Sequence, residues 1–170
     1  FVTVAIESLE DGYGETKLSR DKAKRLKAWH DLEAAMEQGT IVSGLVTGNG
    51  LGFSPDGGTM YLSDSHPSVQ RIWAFDLDAG GTPTNRREFV DMNLHPGRPD
   101  GAAVDAEGGY WICANDAGLV HRFTPDGRLD RSLRVPAAKP SMCAFGGPQL
   151  DHLFITSIAP AAPIEGFDAK

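Results

Sequence analysis

Three residues with oxygen-bearing side chains occupy matching places in three similar stretches of this sequence. Asn49, Asp100 and Ser141 each begin a short run of small or apolar residues. Amide, carboxylate and hydroxyl oxygens are the ligands that hard cations such as calcium and magnesium prefer. Two interpretations are open at this point. The three residues form a divalent-cation site, or Asn-Gly and Asp-Gly are here only as ordinary turn dipeptides.

The elements that position these residues are short strands that recur along the chain. The runs from Asn49 and Asp100 each lead through a tight turn, at residues 54–58 or 105–109, into a second strand. Further strands are predicted at 70–76 and 86–90 in the first copy, at 119–124 and 129–135 in the second, and at 141–145 and 153–157 in a partial third copy.

Four short strands repeated every ~40 to 50 residues are typical of propeller blades, whose first strands line a central channel. A meander or a sandwich with chance similarity is the alternative. In a propeller, the end of each second strand returns to the start of its first strand. We therefore expect four further polar residues near the same mouth of the channel, namely Asp64, Ser65, Asn115 and Ser157.

These stretches resemble the gluconolactonase/regucalcin (senescence marker protein) family. The resemblance rests on NGLGFSPDGGTMYLSDS followed by RIWAFDLD, on GRPDGAAVDAEGGYWICA, and on SMCAFGG with LFITS, and it covers about residues 41–157. It implies a six-bladed β-propeller that hydrolyses sugar lactones with one divalent cation on its axis. It also implies that Asn49 binds this metal, and that Asp100 both binds it and acts catalytically in proton transfer. Calcium is the expected ion, with zinc, manganese and magnesium as alternatives.

The sequence departs from the family pattern in its first part. The family's third metal ligand is a Glu in an E-G-P-x-W setting, which residues 1–38 do not contain. The Arg and Asn that hold the sugar in the family are also unmatched. The predicted fold is therefore all-β: a partial six-bladed propeller of about two and a half blades in residues 41–157. A non-family segment precedes it in residues 1–38, and a tail follows in residues 158–170.

Residues 1–38 are predicted to form a strand at 1–6 and a helix. Ser19 is a plausible N-cap for this helix, which runs to about Gln38 before Gly39. Leu26, Trp29 and Met36 share one face at helical spacing, so this face is expected to pack on a neighbour.

Whether the chain is an enzyme is left open by these patterns. The first hypothesis is metal-dependent hydrolysis of a sugar lactone, a carboxylic ester, expected to be impaired in this chain alone because ligands are unmatched. The second is a non-catalytic calcium-binding or structural partial propeller that another chain completes. A homo-oligomer could supply the remaining blades in either case.

Composition narrows the remaining classes. With 16 basic and 23 acidic residues the net charge is −7, which disfavours nucleic-acid binding. The apolar runs are too short to span a membrane, and we recognise no secretion signal. Cys113 and Cys143 lie in apolar runs and are predicted to be buried, reduced thiols, which favours a cytoplasmic location.

Overall fold

The computed structural model describes residues 44–159 together with 5–8, 17–19, 22–24, 26, 27 and 30. The strands are β1 Ala5–Ser8, β2 Lys17–Ser19, β3 Gly48–Phe53, β4 Thr59–Asp64, β5 Arg71–Leu77, β6 Pro83–Asp91, β7 Arg98–Val104, β8 Tyr110–Asn115, β9 Leu119–Phe123, β10 Leu129–Arg134, β11 Pro140–Gly146 and β12 His152–Ser157. A single turn of 3-10 helix, Met92–Leu94, follows β6 within this part of the chain.

The strands after residue 44 form two whole blades and part of a third. Strands β3 to β6 make one four-stranded antiparallel sheet in chain order, and β7 to β10 make a second. Strands β11 and β12 form a two-stranded sheet. The predicted β architecture of about two and a half blades is confirmed, and no helix lies between β4 and β5.

The first hairpin of each whole blade closes through an aspartate that caps its own turn. The Oδ1 atom of Asp56 accepts the backbone N–H of Gly58 at 3.0 Å, and Oδ1 of Asp105 accepts that of Gly109 at 2.8 Å. The residue before each of these glycines has a positive φ angle and is itself a glycine, as such turns favour. These local bonds explain why the sequence already predicted both hairpins.

The core fills the spaces between blades. Tyr61, Phe89 and Tyr110 pack together between the first two blades, with ring centroids 4.8–5.9 Å apart. Cys113 and Cys143 are fully buried between the second and third blades, and both are free thiols as predicted. Blade packing therefore fixes the positions of the inner strands β3, β7 and β11.

Two glycines allow the inner strands to lie side by side. A Cβ atom on Gly50 would stand 2.8 Å from Cδ1 of Ile112 in the second blade. A Cβ atom on Gly101 would stand 2.6 Å from the carbonyl oxygen of Ser141 in the third. Both distances are shorter than side chains tolerate, so the residues beside Asn49 and Asp100 must be small.

The N-terminal part differs in detail from its prediction. The first described strand, Ala5–Ser8, overlaps the strand predicted at residues 1–6, of which residues 1–4 lie outside the described residues. It pairs antiparallel with Lys17–Ser19, a strand the sequence did not predict. Ser19 lies in β2, and the described helical residues begin at 22. Leu26 is 44% exposed, so its predicted packing is wrong. Residues 31–38, where the helix was expected to end, lie outside the described residues.

Candidate functional site

Asn49 stands at the start of β3, next to the end of β4. Its side-chain Nδ2 donates a hydrogen bond to Oγ of Ser65, at 3.3 Å, and Ser65 directly follows β4. Asn49 is half-buried, whereas Ser65 is buried. Within the described part of the chain, no donor reaches Oδ1 of Asn49. This amide oxygen is therefore available to a ligand.

Asp100 occupies the corresponding place on β7 and is held by Asn115, the last residue of β8. Nδ2 of Asn115 donates to Oδ2 of Asp100 at 2.8 Å and to the carbonyl oxygen of Pro140 at 3.3 Å. The second oxygen of Asp100, Oδ1, has no hydrogen-bond donor among the described residues. Asp100 is half-buried and Asn115 is 3% exposed, so the carboxylate is anchored from behind with one oxygen left over.

Ser141 repeats the arrangement on β11. Its Oγ lies 3.1 Å from Oγ1 of Thr156, near the end of β12. Ser157, which the sequence predicted near this place, pairs with Pro140, the residue before Ser141, and its side chain is exposed. The ladder shifts register between Pro140 and Met142, and a shift of one residue changes which side chain shares a face. The contribution of Thr156 was missed for this reason.

All three inner strands change register at this point. The shift lies between Asn49 and Gly52 in β3, between Pro99 and Ala102 in β7, and between Pro140 and Met142 in β11. Bulges of this kind bend a strand, redirect its side chains and occur often beside active sites. The residue types alone gave no signal for the bulges.

Asp64 lies at the same end of the first blade but is used differently. It is 1% exposed, and its carboxylate accepts the backbone N–H groups of Val46 at 2.8 Å, Thr47 at 3.1 Å and His66 at 3.0 Å. Both of its oxygens therefore bind the loop that leads into β3. In this geometry Asp64 holds the start of the strand on which Asn49 lies.

The Cys113 thiol behind Asp100 is unreactive. The hydrogen bond with Cys143, together with burial, raises the pKa of the Cys113 thiol, and the negative charge of Asp100 adds to this effect. Cys113 therefore stays protonated at neutral pH, and it belongs to the packing of the second and third blades.

The donor set of the candidate site consists of an amide, a carboxylate and a hydroxyl. Among the described residues, no group of three or more His, Cys, Asp or Glu side chains is placed to hold a metal ion. Oxygen donors from Asn49 and Asp100 suit a hard cation, but calcium takes six to eight oxygens. That these two side chains share one cation stays a prediction.

Residues 13–159 match the SMP-30/Gluconolactonase/LRE-like region family. The chain belongs to this family. The match begins upstream of Ile41, where the motif resemblance starts, and so includes part of the segment that was expected to lie outside the family.

Individual relatives are lactonases and regucalcins. The chain is 42% identical over 116 residues to 6-deoxy-6-sulfogluconolactonase of Pseudomonas putida, covering 66% of this chain and 38% of that protein. It is 39% identical over 109 residues to L-arabinolactonase of Azospirillum brasilense, covering 64% of this chain and 35% of that protein.

Among solved structures, the chain resembles a calcium-binding protein, regucalcin, from Agrobacterium tumefaciens. The TM-score is 0.65 with 34% identity, and the alignment covers 70% of this chain and 40% of that chain. The chain thus spans less than half the length of each of these relatives. No described helix is long and apolar enough to cross a membrane.

Proposed function

We propose that this chain carries part of the active site of a sugar-lactone hydrolase that works with a divalent cation. The observation that carries the proposal is the pair Asn49 and Asp100. Each lies at the bulged start of an inner strand, is tethered by one side-chain atom, and keeps one oxygen to which no described residue donates. The named lactonases among the relatives support sugar lactones as the substrate class.

The residues present fit a hard cation in type, and Asn49 and Asp100 would hold it. Calcium is the ion we propose, and the calcium-binding regucalcin among the similar structures supports it. Zinc, manganese and magnesium are the alternatives that the experiment includes. When bound, such a cation polarises an ester carbonyl and stabilises negative charge on its oxygen.

Asp100 is the group we assign to proton transfer. A carboxylate beside the reacting ester can accept a proton from the attacking water as a general base. Because Asn115 occupies Oδ2, the remaining oxygen Oδ1 is the atom available for this role. A sugar lactone is more easily hydrolysed than an amide, so a base as weak as a carboxylate suffices.

Turnover by this chain alone is expected to be low. Two matched protein ligands fall well short of the six to eight oxygens that calcium takes, so affinity should be weak. Positioning of the sugar can contribute several kcal/mol to lowering a barrier, and the family's sugar-holding residues are unmatched in this sequence. We therefore expect activity to rise with added metal and to stay below that of a full-length relative.

The test is hydrolysis of gluconolactone, corrected for spontaneous opening, after removal of metal with a chelator and over a titration of calcium, manganese, zinc and magnesium. Asp100→Ala should abolish all metal-dependent turnover. Asn49→Ala should raise the metal concentration needed for half-maximal rate. Turnover that persists in the chelator or in Asp100→Ala would contradict the proposed chemistry.

The second candidate is a non-catalytic partial propeller that another chain completes. The two-stranded third sheet favours it, because Phe154 is 60% exposed on β12 and Ile158, just after this strand, is 52% exposed. Apolar side chains beside an unpaired strand edge are suited to association. The molecular mass in solution distinguishes the cases. A stable dimer without turnover at any metal concentration would favour this second function.

A further inference from the structure

Asn115 is tied to two acceptors that fix the orientation of its amide. Its Nδ2 has two hydrogens, and its two partners, the carboxylate of Asp100 and the carbonyl of Pro140, accept but cannot donate. Turning the amide over would place Oδ1 against both acceptors. The side chain therefore has one orientation that satisfies its contacts, with the NH2 group toward Asp100.

This orientation leaves Oδ1 of Asn115 buried, with no hydrogen-bond partner among the residues that the structure describes. Leaving a buried acceptor unpaired costs free energy, which offsets part of what the two hydrogen bonds from Nδ2 contribute to the stability of the fold. What the amide adds is the pair of hydrogen bonds from Nδ2.

The other blades have simpler versions of the same tether. Asn49 is held by Ser65, and Ser141 by Thr156, each pair joining an inner strand to the end of the second strand or the residue after it. Only Asn115 also reaches the backbone of the next blade, through Pro140. The orientation of Asp100 is thereby linked to the packing of β7 against β11.

We infer that Asn115 is a positioning residue for Asp100: it holds Oδ2 and so directs Oδ1 toward the cation and the substrate. This assignment rests on the proposed function of Asp100. Residues that orient metal ligands through hydrogen bonds commonly change metal affinity or activity ~10- to 100-fold when replaced. Because Asn115 binds Asp100 rather than the ion, its effect should be exerted through the carboxylate.

Asn115→Leu is the variant that separates positioning from packing. It keeps the branched shape but is larger, and it removes both donors and the unpaired oxygen. We expect the calcium dissociation constant, followed by NMR chemical shifts of the whole chain, to rise ~10-fold or more. The melting temperature in chelator should fall, because the Pro140 carbonyl loses a donor and leucine is larger than asparagine, so calcium affinity is measured at a temperature where the variant is folded. Asn115→Ala is the second variant if the leucine does not fold.

Asn93, which is exposed, provides a control that makes the same two types of bond away from the inner strands. Its Nδ2 also donates to one carboxylate, Oδ1 of Asp91, and to one backbone carbonyl, that of Val69, each at 2.9 Å. Asn93 lies outside the inner strands, after β6. Because water can replace the lost bonds at this exposed position, Asn93→Leu should change the melting temperature little and leave the calcium dissociation constant within about twofold of wild type. The pair of variants thus compares the same two types of bond at two places.

The outcomes distinguish failure of the proposed metal site from failure of the positioning role of Asn115. The weakest calcium sites in proteins have dissociation constants of about 1 mM. If the wild-type chain shows no calcium-dependent shifts at calcium concentrations roughly tenfold higher, both the proposed metal site and the positioning role are wrong. If wild type binds calcium and Asn115→Leu binds it equally well, only the positioning role is refuted. A lower melting temperature with unchanged calcium affinity would likewise assign Asn115 to structure alone.

Discussion

Replacing Asp64 by asparagine tests whether this buried carboxylate is structural. Its Oδ1 accepts the N–H groups of Thr47 and His66, and its Oδ2 accepts that of Val46. Asparagine can keep the two bonds to Oδ1. Its NH2 group would then face the N–H of Val46, so one hydrogen bond is replaced by a contact between two donors.

The expected loss is about 1–2 kcal/mol of unfolding free energy for Asp64→Asn, and about 2–3 kcal/mol for Asp64→Ala, which removes all three bonds. Hydrogen bonds to a charged group contribute about 1.5–3 kcal/mol each, but two effects reduce the sum. Val46 and Thr47 are exposed, so water can replace the carboxylate at their N–H groups. Removing the charge also removes the cost of burying it.

Urea denaturation in calcium-free buffer measures the loss, and a calcium titration of the same variants measures the site. Asp64→Asn should keep the calcium dissociation constant within about threefold of wild type, since this carboxylate binds the loop before β3 rather than a cation. Asp100→Asn is the opposite control, with little change in stability and a large loss of affinity. A stable Asp64→Asn variant that no longer binds calcium would refute this interpretation.

Two further outcomes follow from the packing and the charges. Gly101→Ala should lower the melting temperature and reduce the free energy of unfolding by about 1–3 kcal/mol, because its Cβ would stand 2.6 Å from the Ser141 carbonyl oxygen. An unchanged melting temperature would show that β7 and β11 do not approach so closely. The hydrogen bond from Arg71 lowers the pKa of Asp91 from 3.8 to about 2. The stabilisation by this pair is therefore fully present above pH 3.8 and is lost as the pH falls toward 2. Acid unfolding followed by fluorescence should therefore begin at a higher pH in Arg71→Gln, and coincident curves would contradict the role of the pair.

Much of the blade architecture could be predicted because its signals are local. The turns before Gly58 and Gly109 are closed by aspartates two and four residues earlier, so their residue types mark the hairpins directly. Strand ends were less predictable. The third strand of the first blade was expected at 70–76 and is Arg71–Leu77, while the fourth, expected at 86–90, is the longer Pro83–Asp91.

The inner residues of the candidate site could be proposed from the sequence, whereas the contacts that hold them were less predictable. Asn49, Asp100 and Ser141 are marked by repetition. The hydrogen bond between Ser141 and Thr156 depends on a bulge in β11, which the sequence does not show. The hydrogen bonds from backbone N–H groups to Asp64 depend on the position of the loop before β3. Tertiary packing determines that position, rather than the residues next to Asp64 in the sequence.

The contrast between Asp64 and Asp100 shows how one fold gives the same side chain two uses. Both are aspartates at the same end of adjacent blades, and both are tethered by hydrogen bonds. Asp64 uses both oxygens to bind three backbone N–H groups, so binding a cation would require it to share or release them. Within the described part of the chain, Asp100 is tethered through one oxygen by a single amide, so its second oxygen is available without breaking any described bond. Because an available carboxylate oxygen favours cation binding and proton transfer, the tether through Asn115 is as much a part of the proposed site as Asp100 itself.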